Sequence, residues 1–125
     1  MAKLFGWVFL VVGILGFIPN PIIGGTESLF QTDLNHNIVH LLSGVVLLWV
    51  AYKSQAKAGT ALVVFGVIYL LVALLGFMSS SESVLGLIHV NGADNWLHLV
   101  LGLVILVSGL KARKGQGMAQ SMPQM

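Results

Sequence analysis

The chain has 125 residues, the size of one domain; 57% of them are hydrophobic and 8% charged, against about 25% charged in an average soluble domain. A mean hydropathy of +0.94 reads as an integral membrane protein. Six basic and four acidic residues leave a net charge of +2, too few cations for a nucleic-acid-binding stripe, and the lack of cysteine excludes disulfides, thiolate metal sites and cysteine nucleophiles.

Taken in chain order, the pattern predicts four membrane helices, at residues 4–23, 36–52, 60–78 and 94–110. A helix needs roughly 20 residues to cross about 30 Å of hydrocarbon. The second and fourth are slightly short and need their polar first turns in the interface. The first follows Lys3 like a signal peptide but has no small-residue cleavage site, so it is kept as a span. Pro19, Pro21, Gly24 and Gly25 end it. The loops at 20–35 and 79–93 each turn from polar to apolar and back, and read as short interfacial segments over the outer mouth of the bundle. Residues 115–125 are polar and rich in Gln and Met, and read as a disordered cytoplasmic tail.

Charge sets the orientation. Lys3 precedes the first helix, Lys53 and Lys57 separate the second from the third, and Lys111, Arg113 and Lys114 follow the fourth. The other two loops, with the first residue of the fourth helix, hold all four acids, Glu27, Asp33, Glu82 and Asp94. Basic loops stay in the cytoplasm, so both termini are expected inside. Trp7, Trp49 and Tyr52 then fall near the inner interface and Trp96 near the outer one.

The two halves resemble each other. Asn37-Ile38-Val39-His40-Leu41-Leu42-Ser43-Gly44 returns as Asn95-Trp96-Leu97-His98-Leu99-Val100-Leu101-Gly102, and Leu15-Gly16-Phe17 as Leu75-Gly76-Phe77. The expected architecture is therefore an all-α, four-transmembrane-helix bundle. It is built of two parallel two-helix repeats, residues 4–53 and 58–112, related by an axis along the membrane normal. On the second helix Asn37, His40, Gly44, Leu47 and Ala51 share a face; on the fourth Asn95, His98, Gly102, Ile105 and Gly109 repeat it. Small residues there let helix backbones approach, because lipid tails give apolar helices no hydrophobic drive to associate.

Above the glycines lies a polar cluster. His36 and His40 are four apart on one helix, as are Asp94 and His98 on another, so each pair shares a face. Asp33, Asn37, Asn91 and Asn95 flank them in a polar network. Three readings stand. The groups can be a structural lock that caps helix starts and joins the loops. His36, His40, Asp94 and His98 can bind Zn²⁺ or Cu²⁺. Or His40 and His98 can be the axial ligands of a b-type heme between the second and fourth helices, with Gly44 and Gly102 giving room. Ionisable groups at membrane depth also admit proton or small-solute passage. His89 is a lone loop histidine with Gln31 in the matching place, and Ser79–Ser81 beside it lack any nucleophile-elbow pattern.

The series Asp33…His36-Asn37-Ile38-Val39-His40-Leu41…Gly44, followed by Asn91-Gly92-Ala93-Asp94-Asn95-Trp96-Leu97-His98-Leu99, resembles a bacterial family of small four-helix membrane proteins, domain of unknown function 4383. The resemblance runs from the first helix to the fourth and leaves out the tail. It implies four spans in a bacterial cytoplasmic membrane and brings no activity, substrate or cofactor. The leading expectation is thus a non-catalytic structural, assembly or accessory protein in the lipid bilayer, able to form a homo-oligomer or join a larger membrane complex. Metal or heme binding and transport are the alternatives.

Overall fold

The computed structural model describes the backbone of residues 1–121 and the side chains of residues 1–115. The chain runs α1 (Ala2–Leu15), β1 (Ile23–Gly24), β2 (Phe30–Gln31), α2 (Leu34–Lys53), α3 (Gln55–Met78), β3 (Ser83–Val84), β4 (Ile88–His89) and α4 (Gly92–Ser121). It is mostly helical. Helices α2, α3 and α4 are long and apolar enough to cross a membrane, whereas α1 is a shorter apolar helix.

The end of α1 differs from expectation. The helix stops at Leu15 instead of reaching residue 23. Asn20 explains the stop. Its Nδ2 donates to the carbonyls of Leu15 (2.9 Å), Ile18 (2.6 Å) and Ile23 (2.7 Å), and its Oδ1 accepts from the N–H groups of Ile22 and Ile23. One amide thus takes up carbonyls that a helix end leaves orphaned, and Pro19 and Pro21 cannot donate to continue the ladder.

The two loops hold small ladders rather than plain interfacial segments. β1 pairs with β2 in parallel, Ile23 opposite Phe30. β3 pairs with β4 antiparallel, Ser83 opposite His89. The turn between the latter runs through Leu85 (φ 56°) and Gly86 (φ 69°), the left-handed geometry that suits a tight hairpin. At the far end, α4 is helical to Ser121, past the start at Gly115 of the expected disordered tail. Extending an existing helix through Gln, Met and Ala needs no new nucleus. The rest of that tail, residues 122–125, lies outside the described residues.

The closest approaches lie within each half of the chain, α1 on α2 and α3 on α4. A Cβ on Gly44 would meet the Gly6 carbonyl at 2.8 Å, and one on Gly109 would meet the Val63 nitrogen at 2.6 Å. So the glycine faces pack on the neighbouring helix of their own half, not on each other. Both ends of this arrangement are visible. Lys3 Nζ sits 4.5 Å above the Tyr52 ring, and Gly59 packs on Arg113, so the basic residues gather at one end and the loops with the acids at the other. Between them Phe5, Phe9, Leu47, Leu62, Tyr69 and Ile105 form the core, with Leu47 and Ile105 fully buried. The outward residues of every helix, such as Leu4, Val11, Leu42, Val46, Leu71, Leu74, Val100 and Leu103, are exposed.

Candidate functional site

Directly beyond Leu47 and Ile105 the core turns polar. His36 and His40 rise from the first two turns of α2, and His98 from the second turn of α4. All three are buried. Ring centroids are 4.5 Å apart for His36 and His40, 5.3 Å for His36 and His98, and 6.2 Å for His40 and His98. One ring nitrogen from each of the three lies within 4.8 Å of the others.

The tautomer of His36 follows from its partner. Its Nδ1 is 2.7 Å from the His89 carbonyl oxygen, which can only accept, so Nδ1 carries the hydrogen. Its Nε2 is buried and has no hydrogen-bond partner; the same holds for His40 Nδ1 and His98 Nδ1. An orphaned buried polar atom costs about 1–3 kcal/mol. Three in one place is a strong departure from the usual satisfaction of buried polar groups.

Tyr69 on α3 lines the same space. Its ring centroid is 5.7 Å from that of His98 and 6.5 Å from that of His40. Phe9 stacks on its other side at 4.9 Å. The Tyr69 hydroxyl is paired with Ser43 Oγ at 2.9 Å, as a phenol at this depth requires.

Over the cluster the two loops are latched to each other. Asp33 caps α2: its Oδ1 accepts from His36 N–H at 2.9 Å, and its Oδ2 accepts from His89 N–H at 3.2 Å. Asn91 and Asp94 form a reciprocal cap on α4, with Asp94 N–H donating to Asn91 Oδ1 and Asn91 N–H to Asp94 Oδ2. The Gln31 N–H also donates to Asp94. Asn35 Nδ2 donates to the Leu87 carbonyl (2.8 Å) and Asn91 Nδ2 to the Leu29 carbonyl (2.9 Å). Leu29 and Leu87 are matching positions in the two halves. So are Gln31 and His89, and these two meet, His89 Nε2 donating to Gln31 Oε1 at 2.9 Å. Asn37 and Asn95 occupy matching places too. A Cβ on Gly16 would collide with the Asn37 side chain, and one on Gly76 with that of Asn95. The repeated Leu-Gly-Phe is thereby explained, since only glycine leaves room for the amide.

With this geometry the repeated motifs fall into one assembly, and a family model covers residues 1–111 of the chain. The chain belongs to the domain of unknown function family DUF4383. No curated protein and no solved structure matches it.

The DUF4383 site differs from the sequence expectation in three respects. Asp94 does not join the histidines as a ligand, because its carboxylate holds the Asn91 and Gln31 N–H groups. The space beside Gly44 is filled by Leu10 and that beside Gly102 by Leu70, while His36 and Tyr69 pack against the other two imidazoles. A porphyrin plane between His40 and His98 does not fit there. And Tyr69, Ser43 and Asn35 were not legible as site residues. A single polar atom in an apolar helix has no periodic partner to betray it; only the duplication of Leu29 and Leu87 hinted at loop-to-loop bonds.

Proposed function

We propose that this DUF4383 chain is a non-catalytic, four-span protein of the bacterial cytoplasmic membrane, with both termini inside and its outer end held shut. In this reading it serves as a structural or accessory subunit. The observation that supports it is the set of side-chain bonds joining the two outer loops above a filled core. Asp33 to His89, Asn35 to Leu87 and Asn91 to Leu29 all cross between the halves. Below them Leu47 and Ile105 are fully buried in the apolar core.

Four spans follow if α1 also crosses. Its 14 residues cover about 21 Å as a helix, and the exposed apolar Phe17, Ile18 and Ile22 extend the apolar stretch towards the outer interface. The gathering of every Lys and Arg at the opposite end suits the positive-inside rule. Exposed Leu, Val and Ile on all sides suit lipid contact, which a soluble surface would not tolerate in such area.

Because the chain has no cysteine, single-cysteine labelling reads topology without background. In whole cells a membrane-impermeant maleimide should label Thr26→Cys and Ser80→Cys, and should reach Ala56→Cys only after permeabilisation. Labelling of Thr26→Cys and Ser80→Cys from opposite sides would sink the four-span arrangement. Proteoliposomes whose proton or cation leak exceeds that of empty vesicles would sink the closed, non-transporting reading.

A further inference from the structure

We propose that His36, His40 and His98 bind one divalent transition-metal ion of the zinc and copper class, a function that goes beyond holding the bundle closed. Four observations converge. One ring nitrogen from each of the three residues lies within 4.8 Å of the other two. A tetrahedral ion with bonds of about 2.0 Å sets its ligand nitrogens about 3.3 Å apart, a spacing that rotation of the side chains brings within reach. His36 Nε2, His40 Nδ1 and His98 Nδ1 are all buried without a hydrogen-bond partner, so each has a lone pair or proton that nothing in the protein satisfies.

The third observation is the way His36 is held. Metal-bound imidazoles usually donate their second N–H to a carbonyl or carboxylate, which fixes the ring and leaves the other nitrogen free to ligate. His36 Nδ1 donates to the His89 carbonyl at 2.7 Å, and His89 N–H is in turn fixed by the Asp33 carboxylate at 3.2 Å. This is the outer shell of a metal site already in place.

The fourth is charge. Asp33 and Asp94 lie at the same end as the histidines, Asp94 buried, while Lys3, Lys53, Lys57, Lys111, Arg113 and Lys114 all lie at the other end. The Asp33 carboxylate next to His36, with every Lys and Arg at the far end, favours a doubly charged cation here. Imidazole ligands without thiolates suit zinc and copper, and oxygen-seeking calcium or magnesium poorly. With three protein ligands, the fourth position is left to water or a small exogenous ligand, the pattern of an open rather than a closed site.

The test uses the full chain, purified in detergent without chelator, stripped, and dialysed against Zn²⁺, Cu²⁺ or Co²⁺. The expected result is one ion per chain, visible d–d absorption for the Co²⁺ form, and a higher thermal midpoint with Zn²⁺ than with EDTA. His98→Ala and His40→Ala should each lower affinity at least 100-fold. Glu27→Gln, which removes an exposed acid at the same end but outside the cluster and its partners, should keep one ion. If the alanine variants do not fold, the Co²⁺ spectrum and the Zn²⁺-dependent midpoint of the wild-type protein decide. A folded wild-type protein that takes up none of these ions at micromolar concentration overturns the proposal, as does a folded His98→Ala variant that binds as tightly as wild type.

Discussion

Asp33 carries two bonds with one carboxylate, and Asp33→Asn separates them. Oδ1 caps α2 through His36 N–H at 2.9 Å, and Oδ2 reaches across to His89 N–H at 3.2 Å. Asn caps helices about as well as Asp, so the substitution keeps one acceptor. Its amide nitrogen is a donor, however, and whichever way the amide turns, one of the two N–H groups faces another donor. Leaving a buried N–H unpaired costs about 1–3 kcal/mol. Because the His89 bond is long and only partly buried, we expect a loss of about 1–2 kcal/mol on that scale. Asp33→Ala removes the cap as well, worth about 1 kcal/mol, and should lose about 2–3 kcal/mol in all. Unfolding in mixed micelles of rising SDS fraction, followed by circular dichroism, measures both. An Asn variant within about 0.5 kcal/mol of wild type, the usual spread for an inert surface change, would refute the bond between the loops. Equal losses for the Asn and Ala variants would instead mean that the cap contributes nothing.

The reciprocal change, Asn91→Asp, replaces the donor to the exposed Leu29 carbonyl with an acceptor and sets a second carboxylate beside Asp94; the same unfolding assay should show a loss of about 0.5–1.5 kcal/mol, and unchanged stability would mean the Leu29 bond is absent. Tyr69→Phe, Ser43→Ala and the double variant form a cycle around the 2.9 Å hydroxyl pair. A coupling of about 0.5–1.5 kcal/mol is expected for a hydrogen bond between membrane helices, and additive losses would show that the hydroxyls do not pair. Gly16→Ala places a methyl against Asn37, whereas a methyl at Gly25 meets nothing within 4 Å. The first should cost about 1–3 kcal/mol by overpacking and the second should be close to neutral; thermal melts that rank them the other way would contradict the packing of α1 on α2.

Some of the site could be read directly. Asp33 and Asn91 stand just before apolar runs, and both are helix caps, because capping depends only on residues three positions apart. The correspondence of Gln31 with His89 was visible as a duplicated position. That the two would touch was not, since contact across a pseudo-axis depends on where two loops end in space. His36, His40 and His98 were legible as members of two i, i+4 pairs; Asp94, grouped with them by the same spacing, accepts from the Asn91 and Gln31 N–H groups. Helical spacing says which residues share a face; it does not say which of them turns back to cap its own helix.

The helical class, the separation of basic and acidic ends, and the glycine faces follow from local periodicity and from counting charges along the chain. The tertiary structure alone decided the rest. Backbone contact at Gly6, Gly44, Gly66 and Gly109 fixes α1 on α2 and α3 on α4. The pairing of loops through Asn35, Asn91 and His89 then fixes the two halves on each other. Only with both in place do three imidazoles from two distant stretches of chain point at one another. Their convergence is a property of packed backbones and satisfied loop carbonyls, and no spacing within one helix can encode it.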